Sequence, residues 1–555
     1  MLDRQLPPVL VCIIFFLLKR ILLQPLLTNL LFTTHNFSYM KKYYWLSFIV
    51  IALIAIVVSC SKIEGRTDDL PALNAQDNDL NAGNWKAVLL PHPDTFAVAA
   101  PAATISGTYL GELNEIKGLQ QNLTAAQKAM VQYWSAGAVL RWNEIMRELV
   151  AKHNLPPYQN EDGTYPIPNA ANPFNYPQFP FSNPPFAARA YAYVSAAQYD
   201  ALISAWHYKV LYNRAAPYKV DSFINANKLV PASDLPSYPS EDAVVAGVTA
   251  EMMKMLFPTE IAFIEQKAAE AEEARLLAGA NVRSDLVAGE ALGRAVAQVF
   301  IARGKGDNAG KAGGTQTDWD KMAADCVSRG EKAWISLESP KRPPMLPMFG
   351  NVKPFLFDSL TCISLRPGPP PSTNSEQMKQ ETAEVYQMVQ NPSREHIRIV
   401  QFWADGVGTY TPPGHWDAIA AEDFVKKNWS EVRWARNMAL LNMSLLDAAI
   451  VCWNTKSYYY NPRPTQMNPA IKTLTGIPNF PSYISGHSTF SGAAAAILGH
   501  IIPERAADYE AMAQEASNSR LYGGIHYRSD CQVGLEVGKK VGDYAVARAT
   551  TDGAE

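Results

Sequence analysis

The sequence predicts an all-α protein, a set of helical bundles joined by long loops rich in proline and aromatic residues. Three observations point there. Apolar residues recur at helical spacing through most of the chain beyond Thr124. No strand-rich stretch and no internal repeat stands out. The 39 prolines and 10% aromatic residues put many ordered turns between the helical stretches. With 48% apolar and 18% charged residues in 555, a sizeable core is available, in one large body or more than one domain.

In chain order, Thr124-Ala125-Ala126-Gln127 is a capping-box pattern opening an amphipathic run through His153, which Pro156 and Pro157 stop. A Pro- and aromatic-rich loop is expected over Tyr165–Pro185, followed by an Ala-rich helix over Phe186–Tyr208. Ser240–Met255 and Glu260–Arg303 read as further helices, the second punctuated by Gly279. Residues 304–375 read as loop, with Pro340, Pro343, Pro344 and Pro369 to Pro371. Helical patterning returns at Ser375–Val389, Glu422–Thr455, Ser488–Ile502, Glu504–Asn518 and Ser529–Arg548. Two of these late helices have small-residue faces, Ser491–Ala496 on one and Gly534, Gly538 and Gly542 on the other. Glycine inside a helix costs about 1 kcal/mol against alanine, so these faces are expected to pack closely.

The N-terminal region reads as an address. Lys41 and Lys42, an apolar run and Val57-Val58-Ser59-Cys60 make a secretory signal over residues 40–59 whose end resembles a bacterial lipobox. Lipidated Cys60 would then hold the protein at a membrane surface of the cell envelope, facing the periplasm or at the outer membrane. An uncleaved anchor helix is the other reading. Residues 1–39 fit neither, and are expected to be an upstream extension with Met40 as the true start; the rival is an extra membrane segment around Val9–Leu18. Residues 60–101, with many Asp, Asn and Pro residues, read as a tether.

A net charge of −3 supplies no bulk reason for nucleic-acid binding. None of the six cysteines forms a C-x-x-C pair, which argues against a zinc or redox motif. Cys326, Cys362, Cys452 and Cys531 lie in the body, as disulfides or as buried thiols.

The chemistry concentrates between Lys456 and Asp530. Lysine supplies a point charge for an oxyanion, and Arg463 and Arg520 supply planar forks. Ser485 offers a hydroxyl, and Gly486 an accessible N–H at the start of a helix. His526 and Asp530, four apart, share one face if a helical turn runs through them, so the carboxylate can fix one imidazole nitrogen. His487 is left to trade a proton. Phosphate or vanadate fits such a pocket.

Three blocks, Lys456 to Arg463-Pro464, Ser485-Gly486-His487, and Ser519-Arg520 to His526 and Asp530, resemble the motif of the superfamily shared by type 2 phosphatidic acid phosphatases and vanadium-dependent haloperoxidases. Ile484 departs from it, standing where the second block usually has proline. The resemblance implies a fold like that of vanadium chloroperoxidase and acid phosphatase, with residues 102–555 as a helical catalytic domain and the oxyanion pocket in 453–530. In the peroxidases it implies His526 as the vanadium ligand. Lys456, Arg463, Ser485, Gly486 and Arg520 would then hold the vanadate oxygens, and His487 would move protons as hydrogen peroxide binds. In the phosphatases it implies attack on phosphorus by His526, with His487 protonating the leaving group.

The flanks lean towards the peroxidases. Phe480 to Ala493 resembles a run of fungal vanadium chloroperoxidases, and Trp453 and Phe480 match aromatics that those enzymes place beside the halide. Phe402-Trp403-Ala404-Asp405-Gly406 and Thr411 to Trp416 look like a block of bacterial relatives, in which Asp405 is expected to pair with a pocket arginine. The leading expectation is a vanadate-dependent haloperoxidase acting on hydrogen peroxide and halide. An envelope acid phosphatase acting on a phosphate ester through phosphohistidine is the alternative, and a phosphate-binding protein the third. The oligomeric state is left open.

Overall fold

The computed structural model describes residues 70–155, 183–338 and 341–554. The signal, Cys60, the upstream extension and all but the last residues of the Tyr165–Pro185 loop lie outside them. Every regular element among the described residues is helical.

The N-terminal half begins with α1 (Gly107–Gln120), α2 (Ala125–Ser135) and α3 (Ala138–His153). The Thr124 capping box forms as expected, with Gln127 closing it. The run to His153 breaks at Gly137, whose φ of 128° no side-chain-bearing residue adopts readily. Next comes α4 (Pro184–Tyr212), 29 residues and almost wholly buried, with Asn183 capping it and Pro184 and Pro185 in its first turn. Helices α5 (Glu241–Leu256), α6 (Ile261–Leu277) and α7 (Arg283–Lys305) follow, Gly279 separating the last two at a φ of 73°. The stretch read as loop over 304–375 holds α8 (Gln316–Ser328), capped by Thr315, and a short helical turn over Ser359–Ser364.

The C-terminal half comprises α9 (Glu376–Gln390), α10 (Arg394–Phe402), α11 (Thr411–Phe424), α12 (Glu431–Tyr459), α13 (Gly486–Ile501), α14 (Ala506–Tyr522) and α15 (Arg528–Ala549). The run expected over Glu422–Thr455 is interrupted at Asn428, which is left-handed at φ 50°, so α11 and α12 are separate. Helix α12 also spans 29 residues and packs along α4, so two rods of roughly 43 Å form the middle of the molecule. By length and composition α12 is apolar enough to cross a membrane, but 94% of its apolar window is buried inside this fold.

Of residues 60–101, whose composition suggests a tether, 60–69 lie outside the described residues. From Leu70 onward the chain packs on the body, with Ala82, Trp85 and Leu90 buried. Asp200 of α4 accepts the N–H groups of Val88, Leu89 and Leu90 at 2.6, 2.7 and 3.0 Å. One core carboxylate thus pins the whole turn, which hydropathy could not foretell. Cys326, Cys362, Cys452 and Cys531 are free, buried thiols.

The two small-residue faces meet. A Cβ placed on Gly538 of α15 would lie 2.2 Å from the carbonyl oxygen of Thr489 and 3.0 Å from the N of Ala493, both on α13. Gly538→Ala is therefore expected to destabilise the protein. Overpacking of this kind costs about 1–3 kcal/mol, which exceeds the roughly 1 kcal/mol that alanine gains in helix propensity. Urea unfolding checks this against Gly118→Ala in α1, where nothing lies within 4 Å and stability should hold or rise.

Candidate active site

The α13–α15 contact places the site. Ser485 caps α13 with its hydroxyl on the N–H of Ser488, and its own N–H donates to the carbonyl of Asp530 in the first turn of α15 at 3.0 Å. Gly486 and His487 follow in the first turn of α13, where backbone N–H groups lack helical acceptors and a bound anion is favoured. Lys456 and Trp453 come from the last turns of α12 and Arg520 from the last turn of α14. Arg463 and His526 come from the loops that follow those helices. Separate pieces of chain thus converge on one point, and every sequence-predicted site residue is among them.

His526 precedes α15 rather than lying on a helical face with Asp530. The bond forms nonetheless, because Asp530 turns back to cap the helix: its Oδ2 accepts the Tyr527 N–H at 3.2 Å and lies 2.9 Å from His526 Nδ1. Nδ1–H therefore donates to Asp530. That leaves Nε2 as the lone-pair nitrogen, facing Arg463 Nη1 at 3.0 Å. Sequence reasoning missed Ser482. Its hydroxyl donates to Asp530 Oδ2 and sits 3.3 Å from His526 Nδ1. Only its closeness to the motif pointed to it.

The cations are deeply buried. Lys456, Arg463 and Arg520 are each 1% exposed, and among the described residues none makes an ion pair with a carboxylate. They rest instead on carbonyl oxygens. Lys456 donates to Pro481 and Ser482 at 2.9 and 2.8 Å, and Arg463 to Phe480 and Ile525 at 2.9 and 2.7 Å. Arg520 donates to Trp403 at 2.6 Å. Burial pushes the Lys456 ammonium down to about 7, Arg463 to about 9 and Arg520 to about 10. It also raises Asp530 to about 6, and with the neighbouring cations holds His526 well below the ordinary imidazole range. Burial and the charge of Arg520 bring His487 to about 4. Desolvating each cation costs several kcal/mol, a cost that a bound anion offsets.

The donor set fits a tetrahedral oxyanion. Arg463 Nη2 is buried with no hydrogen-bond partner, so a fork already anchored by Nε and Nη1 keeps one donor free. Over the cluster lie Trp453 and Phe480, ring centroids 5.1 Å apart. Lys456 Nζ sits 5.9 and 5.0 Å from their centres, and the Arg463 guanidinium 4.8 Å from that of Phe480. Trp453 Nε1 donates to Met345, which fixes the ring from the stretch that the sequence marks only as loop. His487 is the more open member, its side chain 16% exposed. Asp405 does not pair with an arginine: its carboxylate meets His415 at 3.0 Å and His487 at 3.6 Å. Arg520 turns instead to backbone carbonyls at the end of α10.

Residues 437–542 match the PAP2 superfamily. The matched stretch is less than half of the chain. It contains every residue of the cluster from Trp453 to Asp530. The fold is similar to that of the first bacterial vanadium-dependent iodoperoxidase, with a TM-score of 0.50 and 22% identity over 66% of this chain and 91% of that one. Holo-type and apo-type bacterial vanadium-dependent chloroperoxidases also match. The first has a TM-score of 0.46 and 12% identity over 69% of this chain and 96% of that one. The second has 0.44 and 12% over 65% and 93%. At 22% identity the likeness to the iodoperoxidase is one of fold. A comparison with curated proteins finds no match.

Ser482→Ala is expected to weaken orthovanadate binding about 10–100-fold, as loss of a ligand-orienting partner does. Titration calorimetry reads this directly, and an unchanged affinity would remove Ser482 from the site.

Proposed function

We propose that this protein is a vanadate-dependent haloperoxidase. It takes a halide, hydrogen peroxide and a proton to hypohalous acid and water. The observation that carries this reading is the aromatic wall on the cation cluster. Binding an oxyanion needs donors and charge only. A halide is large and weakly hydrated, and it gains from leaving water beside an ammonium and the rings of Trp453 and Phe480.

The residues divide the work. Lys456, Arg463 and Arg520 neutralise the oxyanion, the Ser485 hydroxyl and Gly486 N–H complete its cradle, and His526 Nε2 is the metal ligand. Bound vanadate would supply a Lewis-acid centre that activates hydrogen peroxide towards the halide. Asp530 and Ser482 keep the proton of His526 on Nδ1, so Nε2 stays available as a ligand. Burial and Arg520 keep His487 neutral at pH 7, so its ring carries one proton and one lone pair, and its partial exposure links it to solvent for proton exchange.

The PAP2 match supports a second reading, an acid phosphatase in which His526 attacks phosphorus. One assay separates the two. Protein reconstituted with orthovanadate is expected to halogenate monochlorodimedone. No halogenation, together with brisk phosphate release from p-nitrophenyl phosphate by vanadate-free protein, would reject the peroxidase. Trp453→Ala is expected to raise the halide KM about tenfold, equivalent to about 1.4 kcal/mol of lost binding, with orthovanadate affinity kept.

The signal over 40–59 supports placing the enzyme in the bacterial cell envelope, held by acylated Cys60. Mass spectrometry of the mature N-terminus checks this, and any end other than acylated Cys60 would reject it.

A further inference from the structure

The loop between α10 and α11, residues 403–410, lies outside the stretch that matches the PAP2 superfamily yet reaches into the site. Its carboxylate, Asp405, is 5% exposed. Oδ1 meets His415 Nδ1 at 3.0 Å. Oδ2 faces His487 Nε2 at 3.6 Å, and each of these two buried atoms lacks any other hydrogen-bond partner. A movement of a few tenths of an ångström closes that gap, and site hydrogen bonds commonly tighten in this way on ligand binding.

We infer that Asp405 is a positioning residue for His487, anchored by His415. Its carboxylate spans the two imidazoles and turns Nδ1 of His487 towards the bound oxyanion. The inference rests on reading the Lys456–Asp530 pocket as an oxyanion site, whichever chemistry that site performs.

The surroundings hold Asp405 in place. His415 stacks on Trp403 with centroids 4.5 Å apart, and Phe402 meets it edge-on at 4.9 Å. Trp403 also accepts the Arg520 hydrogen bond on its carbonyl, so one residue fixes both His415 and a pocket cation. Asn154 clamps the loop: its Nδ2 donates to the carbonyls of Gly406 and Thr409, and its own carbonyl accepts the Gly408 N–H. Asp405 at φ 45° and Thr411 at φ 68° both occupy the left-handed region, a strained conformation for non-glycine residues that persists only where the surroundings impose it.

The consequence is a tautomer. An ionised carboxylate facing Nε2 favours the Nε2–H form of His487 and leaves the lone pair on Nδ1. His526 has the reverse arrangement, Nδ1–H on Asp530 and the lone pair on Nε2. Each imidazole of the site is thus oriented by its own carboxylate.

Nitrogen NMR of full-length protein labelled with 15N-histidine tests this without turnover, with His487→Gln and His415→Gln assigning the signals. Wild-type His487 is expected to show a protonated Nε2 and an unprotonated Nδ1. In Asp405→Asn this tautomer should be lost, and Asp405→Glu should restore it at least in part. In the reconstituted enzyme Asp405→Asn should lower kcat about 10–100-fold while orthovanadate affinity changes little. A wild-type His487 protonated on Nδ1, or a tautomer unchanged in Asp405→Asn, would overturn the inference. The wild-type spectrum decides the matter even if the variant fails to fold. Absence of halogenation by the wild type counts against the peroxidase reading and leaves the tautomer result standing.

Discussion

Where α15 crosses α13, the two backbones approach so closely that a methyl group has no room, and the N-terminal ends of both helices are carried to the same point. The Ser485 N–H bonds to the Asp530 carbonyl there, joining the loop that bears Ser482, Ser485 and His487 to the turn that bears His526. Everything else in the site is arranged around this junction. The late turns of α12 and α14 bring cations to it, and the carbonyls of residues 480–482 and Ile525 receive them. Close helix packing and anion binding are here one device: helix starts that meet supply backbone donors in a dry place.

Burying three cations in that dry place sets the second constraint. Among the described residues no carboxylate is in direct contact with Lys456, Arg463 or Arg520, so backbone carbonyls and aromatic faces receive them, while Asp530 and Asp405 offset part of their charge from a distance. The hydrogen bonds of these carboxylates have another task. Asp530 and Asp405 each contact an imidazole rather than a cation, so the acids fix where protons sit.

Much of this was legible in the chain. Helical spacing located the long helices, because a stripe of apolar residues at period 3.6 reports a buried face whatever that face packs against. The breaks at Gly137 and Asn428 escaped notice, since a single left-handed residue interrupts a helix without disturbing the apolar pattern around it. The packed run from Leu70 to Pro101 escaped for a related reason: its order comes from partners distant in sequence, such as Asp200 beneath Val88 to Leu90. The helix within 304–375 did carry a local signal, the Thr315–Asp318 capping box, which the prolines around it masked.

The site divides in the same way. By itself the sequence determined which functional groups the protein has: the lysine, two arginines, two histidines and their carboxylate carry their chemistry in residue type and spacing, and the glycine stripe announced a close helix contact. Only the tertiary structure decided how those groups are oriented. Asp405 faces histidines rather than an arginine, Ser482 joins the His526–Asp530 pair, and Trp453 is held over the cations by a carbonyl from a loop. Spacing along a chain limits which groups can meet. Hydrogen-bond direction depends on where backbone carbonyls from remote segments come to rest, and folding alone settles that.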